Sequence, residues 1–175
     1  MRTIGVAEVA LQAMIHRAKT RYAFGSPLSE KEGVRRAVAE ARIEITQIRQ
    51  LCYLAAVIAD EKGFKEARKY IGMIKVAAPR AALKIVDEAI QVHGAHGLSQ
   101  DSRLSEAYMG LRTLRVADGP DSVHLASISA LEFSAEPNLM GVIASGENKY
   151  VKKFGMFEDI KPPKKKERGS DRSKL

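Results

Sequence analysis

The chain has 175 residues, 45% of them hydrophobic and 29% charged, with 29 Lys and Arg against 21 Asp and Glu. That length sets an expectation of one compact domain with a tail, and that balance excludes global disorder. The net charge of +8 does not describe a nucleic-acid-binding face: ten basic and five acidic residues lie between Glu147 and Leu175, so most of the excess belongs to the C-terminal stretch.

In chain order, the first element is a helix from about Thr3 to Arg21, with Ile4, Ala7, Leu11, Met14 or Ile15, and Ala18 on one stripe, ending at Phe24-Gly25-Ser26-Pro27. From Val34 the apolar positions Val38, Ala41, Ile45, Ile48, Cys52, Ala55 and Ala59 alternate spacings of four and three, which predicts one long bundle helix. Ala67, Ile71, Ile74, Ala78, Ala81, Ile85 and Ala89 repeat the pattern after a break at Asp60-Glu61-Lys62-Gly63, so two antiparallel long helices are expected, with Gly63 as a C-cap. Pro79 falls inside the second and is expected to bend it near Ala78 without ending it. The glycine-rich run His93-Gly94-Ala95-His96-Gly97 predicts a loop. A shorter helix over Ser105 to Val116 follows, then a turn at Asp118-Gly119-Pro120-Asp121, with a short polar side chain capping a last helix from Ser122 to about Glu136.

No segment alternates with a period of two. The expected fold class is all-α: an up-and-down four-helix bundle over residues 1–137 with an additional short helix, and a flexible basic tail over 138–175. No apolar run is long enough to span a bilayer and the first residues lack a signal peptide's apolar stretch, so neither membrane insertion nor secretion is expected. The single cysteine, Cys52, is expected to pack in the core. His93 and His96 stand three apart but lack further ligands nearby, so no metal is expected. The Lys-rich tail has no interleaved aromatics and is expected to bind no nucleic acid. The chain closes on Ser173-Lys174-Leu175, the tripeptide read by the peroxisomal import receptor, so a peroxisomal location is expected, with mitochondrial or cytoplasmic as alternatives.

Five stretches, in order, carry a resemblance: Arg2-Thr3-Ile4-Gly5 with Ala7-Glu8, Arg21 to Gly25, Lys75 to Pro79, Ala89 to Gly94, and Leu114 to Asp121. Over residues 2–136 the chain resembles the C-terminal helical domain of the acyl-CoA dehydrogenase family, and Ala117-Asp118-Gly119-Pro120-Asp121 resembles the branch of family members 10 and 11. The resemblance implies a FAD-dependent flavoprotein of fatty acid metabolism, an oxidoreductase that dehydrogenates an acyl-CoA thioester between its alpha and beta carbons. It implies Asp118 as the catalytic base, and Arg21, Phe24, Gln91, Gly94, Pro120 and Ser122 as cofactor-binding positions. Arg21 matches an arginine that meets the FAD pyrophosphate and Phe24 a flavin-contacting aromatic. Gln91 and Gly94 match a segment that receives the ADP part from a neighbouring subunit. Ala95, Glu32 and Ser122 depart from the family's usual glycine, glutamine and longer acidic residue. The family's N-terminal helical and middle β domains have no counterpart here, so the isolated chain is expected to be inactive and to self-associate as a homo-oligomer. A non-catalytic helical binding or assembly module is the alternative.

Overall fold

The structure is a computed structural model, and it describes residues 1–134. The expected basic tail, 138–175, and its terminal tripeptide lie outside the described residues. Residues Met1–Leu131 form one compact unit, and the last helix runs past its edge. The elements are α1 (Arg2–Thr20), β1 (Tyr22–Ala23), β2 (Ser26–Pro27), a single 3₁₀ turn (Leu28–Glu30), α2 (Glu32–Lys62), α3 (Phe64–His93), α4 (Ala95–Leu98), α5 (Leu104–Thr113) and α6 (Asp121–Ser134). The all-α expectation stands, with one addition: β1 and β2 pair antiparallel, Tyr22 opposite Pro27 and Ala23 opposite Ser26.

The break between the long helices is narrower than the sequence suggests. Asp60 to Lys62 remain helical and Gly63 alone joins α2 to α3. Its φ of +85° ends one helix in a conformation that only glycine adopts freely, and its carbonyl accepts the Ala67 N–H of the next. The pairing is antiparallel, since Glu44 meets Lys84 while Leu51 and Ala77 wall the same cleft further along. Pro79 is buried inside a continuous α3, where its missing N–H leaves the Lys75 carbonyl without its helical donor.

The core joins Ile4, Ala7, Leu11 and Met14 of α1, Ala41, Ile45 and Ile48 of α2, Ala78, Ala82, Ile85, Val86 and Ala89 of α3, and Leu104 and Leu111 of α5. Cys52 is half-buried against this core rather than within it. Helix α3 is central: α1, α2 and α5 all pack on it, so it buries Val76, Ala82 and Val86 beside the predicted stripe, while Ile71 of that stripe is exposed. The fourth packed helix is therefore the short α5. Helix α6 has no buried residue, and rests on α3 where Gly72 leaves room for Ile128: a Cβ at 72 would stand 3.3 Å from Ile128 Cγ1.

An ion-pair triad ties α1 to α2. Glu8 accepts from Arg42 at 2.8 and 3.0 Å and from Arg49 at 2.5 Å. The Arg42 hydrogen bond, with help from Arg49, outweighs desolvation and holds the Glu8 carboxyl below its ordinary value. A depressed carboxylate contributes stability that is present above its unfolded pKa and lost as pH falls through its folded one. Melting temperature followed by circular dichroism is thus expected to be level above about pH 5 and to drop below about pH 4, and Glu8→Gln should flatten that drop.

Candidate active-site loops

The predicted site residues stand on three separate connections. Arg21 leaves α1 in extended backbone, φ −93° and ψ 121°, and its carbonyl accepts from Leu28 N at 2.9 Å. The hairpin that follows turns on Phe24 and Gly25, with φ of +54° and +81°, the paired left-handed geometry that suits the twist of two short strands. Glycine accepts that geometry freely, whereas an aromatic residue there costs about 1 kcal/mol or more. Phe24 is nevertheless 94% exposed, and Lys31 Nζ donates to its carbonyl at 3.1 Å. An apolar ring held outward on strained backbone does nothing for the core formed by the described residues.

At the second connection Gln91 is exposed near the end of α3, and Gly94 caps that end at φ +67°, its N–H donating to the Ile90 and Gln91 carbonyls. Among the described residues no atom beyond its chain neighbours lies within 4 Å of where a Gly94 Cβ would stand, so it is the backbone dihedral that demands glycine there. The expected loop over His93–Gly97 is instead the last residue of α3, the junction Gly94 and most of the single turn of α4. The reason is local: Gly94 reverses the chain, and Gly97 lets the turn press onto α3, where a Cβ would stand 2.8 Å from the Ile90 carbonyl oxygen. His93 Nδ1 pairs with the Ala89 carbonyl at 2.7 Å. Among the described residues no cluster of three or more His, Cys, Asp or Glu is placed to hold a metal ion.

The third connection, between α5 and α6, carries Asp118 and Pro120, and Ser122 follows in the first turn of α6; all three are exposed. Asp118 has φ +55° and Gly119 φ +95°. Aspartate tolerates the left-handed region better than most residues, but the position still stores strain. His124 Nε2 sits 3.2 Å from the Asp118 carbonyl, and a Cβ on Gly119 would stand 3.1 Å from the same nitrogen. The expected polar cap is corrected here. Pro120 precedes the first turn of α6 and its carbonyl accepts the Val123 N–H, while the Asp121 side chain turns to two arginines. Asp121 Oδ2 accepts from Arg80 Nε at 2.9 Å and from Arg115 Nε and Nη2 at 2.9 and 2.7 Å. Desolvation pushes the Asp121 carboxyl up, but the two arginine hydrogen bonds prevail and hold it below its ordinary value. Lys75 Nζ donates to the Leu114 carbonyl at 2.5 Å and to the Ala117 carbonyl at 2.6 Å.

In the sequence, Lys75 and Arg115 stand out only as parts of matching stretches, Asp121 also as the end of a turn, and Arg80 not at all. The available signal is two cations, Lys75 and Arg80, bracketing the apolar run Val76-Ala77-Ala78-Pro79. Among the described residues no hydrogen bond or ion pair joins the three connections to one another. Three clefts among the described residues are walled elsewhere: one by Glu44, Ile48, Leu51 and Ala81 between α2 and α3, one by Ile15, Ala18, Val34 and Val38 between α1 and α2, and one by Val6, Val9, Leu104 and Ala107 between α1 and α5.

The profile for the C-terminal domain of acyl-CoA dehydrogenases matches residues 1–131. The chain belongs to the acyl-CoA dehydrogenase family through that domain. It is 50% identical over 136 residues to the Mycobacterium tuberculosis protein named Probable acyl-CoA dehydrogenase FadE2, covering 78% of this chain and 33% of the relative. It is 53% identical over 132 residues to acyl-CoA dehydrogenase family member 11 of Rattus norvegicus, covering 75% of this chain and 17% of the relative, in agreement with the branch read from Ala117–Asp121. Among solved structures, one of an acyl-CoA dehydrogenase from Mycobacterium abscessus superposes with a TM-score of 0.75 at 46% identity, covering 77% of this chain and 33% of that one. The chain thus spans about a third or less of the length of these relatives.

Proposed function

We propose that this chain supplies the base and part of the flavin cradle of a FAD-dependent acyl-CoA dehydrogenase whose remaining walls come from the family's other two domains. The observation that carries the reading is Asp118: an exposed carboxylate on strained left-handed backbone, at the position where the family places its base. Its residue-level setting suits the cofactor as well. Arg21 and Gln91 are exposed, Phe24 projects into solvent, and Gly94 leaves open space over its backbone among the described residues, which is what a flat anionic group arriving from outside the chain requires.

In this reading the Asp118 carboxylate removes the alpha proton of the thioester, Arg21 holds pyrophosphate charge, Phe24 lies against the flavin ring, and Pro120 and Ser122 shape the corner beside it. Bound FAD would supply the acceptor for the beta hydrogen. A homo-oligomer is part of the proposal, because Tyr53, Leu54 and Val57 of α2 and Val123 and Leu125 of α6 are exposed apolar residues that a second copy or the other domains would cover. Peroxisomal import through Ser173-Lys174-Leu175 is proposed for a product that ends at that tripeptide.

The test is a chimera in which residues 1–134 replace the matching third of the mycobacterial relative. It is expected to purify yellow and to bleach anaerobically on addition of an acyl-CoA thioester. A folded chimera that binds no flavin, or whose flavin no acyl-CoA reduces, overturns the proposal.

A further inference from the structure

The corner that carries Asp118 is fastened at both ends to α3. On its entry side, Lys75 Nζ donates to the carbonyls of Leu114 and Ala117, the latter immediately before Asp118. These carbonyls lie just past the end of α5, where backbone acceptors lack helical donors and carry the negative end of the helix dipole, so an ammonium group is well matched to them. On its exit side, Arg80 and Arg115 converge on Asp121 Oδ2, and Asp121 N–H donates to the Arg115 carbonyl at 3.3 Å. Lys75 and Arg80 are five residues apart on one helix with Pro79 between them, so a single rigid element sets both fastening points. Between them lie the two positive-φ residues, Asp118 and Gly119.

Asp-Gly is a favoured pair for a turn with two positive φ values, and glycine at 118 would still take that backbone at lower cost. Aspartate at φ +55° still carries strain relative to the ordinary helical or extended regions, and contacts on both sides of it favour its staying there. The ion pairs are too open to water to contribute much stability: the Arg80 and Arg115 side chains are 45% and 34% exposed. Their effect is geometric.

We infer that Lys75, Arg80, Arg115 and Asp121 are positioning residues that hold the backbone of Asp118 in its left-handed conformation. This inference rests on the reading of Asp118 as the base, and it assigns a role to four side chains that do not themselves act on substrate.

Two measurements test it. In the 175-residue chain, amide hydrogen exchange followed by NMR is expected to quicken about tenfold or more at Val116 and Ala117, whose N–H groups donate to the Thr113 carbonyl, in Lys75→Met and in Asp121→Asn, with the amides of Ile45 and Ile85 unchanged. In the chimera, the same variants are expected to lower kcat by about 10- to 100-fold at constant KM, because a displacement of about 1 Å at a reacting group has that scale of consequence. Arg115→Lys, which keeps the charge but not the fork, should fall between them and the parent. Unchanged exchange at Val116 and Ala117 in both variants overturns the inference, as does unchanged kcat in a chimera that Asp118→Asn inactivates. If Asp118→Asn itself leaves turnover intact, the assignment of the base falls instead, and the exchange measurement alone decides whether the corner is held from α3.

Discussion

In the chimera that completes the chain with the family's other domains, Asp118→Asn is expected to lower the rate of flavin bleaching by acyl-CoA about 10²–10⁴-fold, with flavin still bound. The substitution isolates proton transfer because it changes little else. Asparagine enters the left-handed region as readily as aspartate, so φ +55° remains accessible. The side chain is exposed, and what the described residues bond to at this position is its carbonyl, through His124. Stability should therefore move by no more than about 0.5 kcal/mol. Asp118→Glu is the informative companion. It restores a carboxylate on a side chain one methylene longer, and partial activity is expected if reach to the proton governs the rate. Stopped-flow reduction under anaerobic conditions measures both variants, and an undiminished rate in Asp118→Asn would remove it from the base role.

The long elements were legible because their signal is redundant. Ile45 and Ile48 on α2 and Ile85 and Ala89 on α3 recur at spacings that only one helix face explains, and both helices run where that period places them. What the period misses is a second buried face. Val76 and Val86 are buried because α3 is surrounded, and Ile71 is exposed near its beginning, since a stripe in the sequence cannot report how many neighbours a helix has. The β pair was illegible for the opposite reason: four residues around Phe24-Gly25 are too few to show a period of two. Helix α4 was hidden by its glycines, which signal a loop in sequence yet here allow the chain to reverse at Gly94 and to pack closely at Gly97.

The site divides in the same way. Asp118 and Arg21 are visible through ordered motifs, and their backbone settings then follow from the turn and the cap. The fastening of the Asp118 corner is not visible, because Arg80 and Asp121 are 41 residues apart and Lys75 meets carbonyls rather than side chains. Charge pattern along a chain identifies partners three or four positions away on a helix, whereas these partners are set by how α5 and α6 return to α3.

Ile45→Ala is expected to destabilise the bundle by about 2–5 kcal/mol, toward the upper part of that range. The composition of the core is the reason. Eight of its eighteen residues are alanine, so the helices approach closely and a few large side chains carry most of the apolar burial: Leu11, Met14, Ile45, Ile85 and Val86 are the largest that are fully enclosed. Ile45 is completely inaccessible on α2, within the core cluster to which α1 and α3 both contribute. Its removal leaves a cavity in a core where eight of eighteen residues are alanine and have no side chain beyond Cβ to swing inward, so the void persists in part and its cost adds to the lost transfer free energy. Ile43, two residues away on the same helix and 56% exposed, supplies the control: Ile43→Ala should change stability by no more than about 0.5 kcal/mol. Urea unfolding followed by circular dichroism reads both, and an Ile45→Ala loss no larger than that of Ile43→Ala would mean that the helices close over the vacated space and that the core is looser than its alanine content requires.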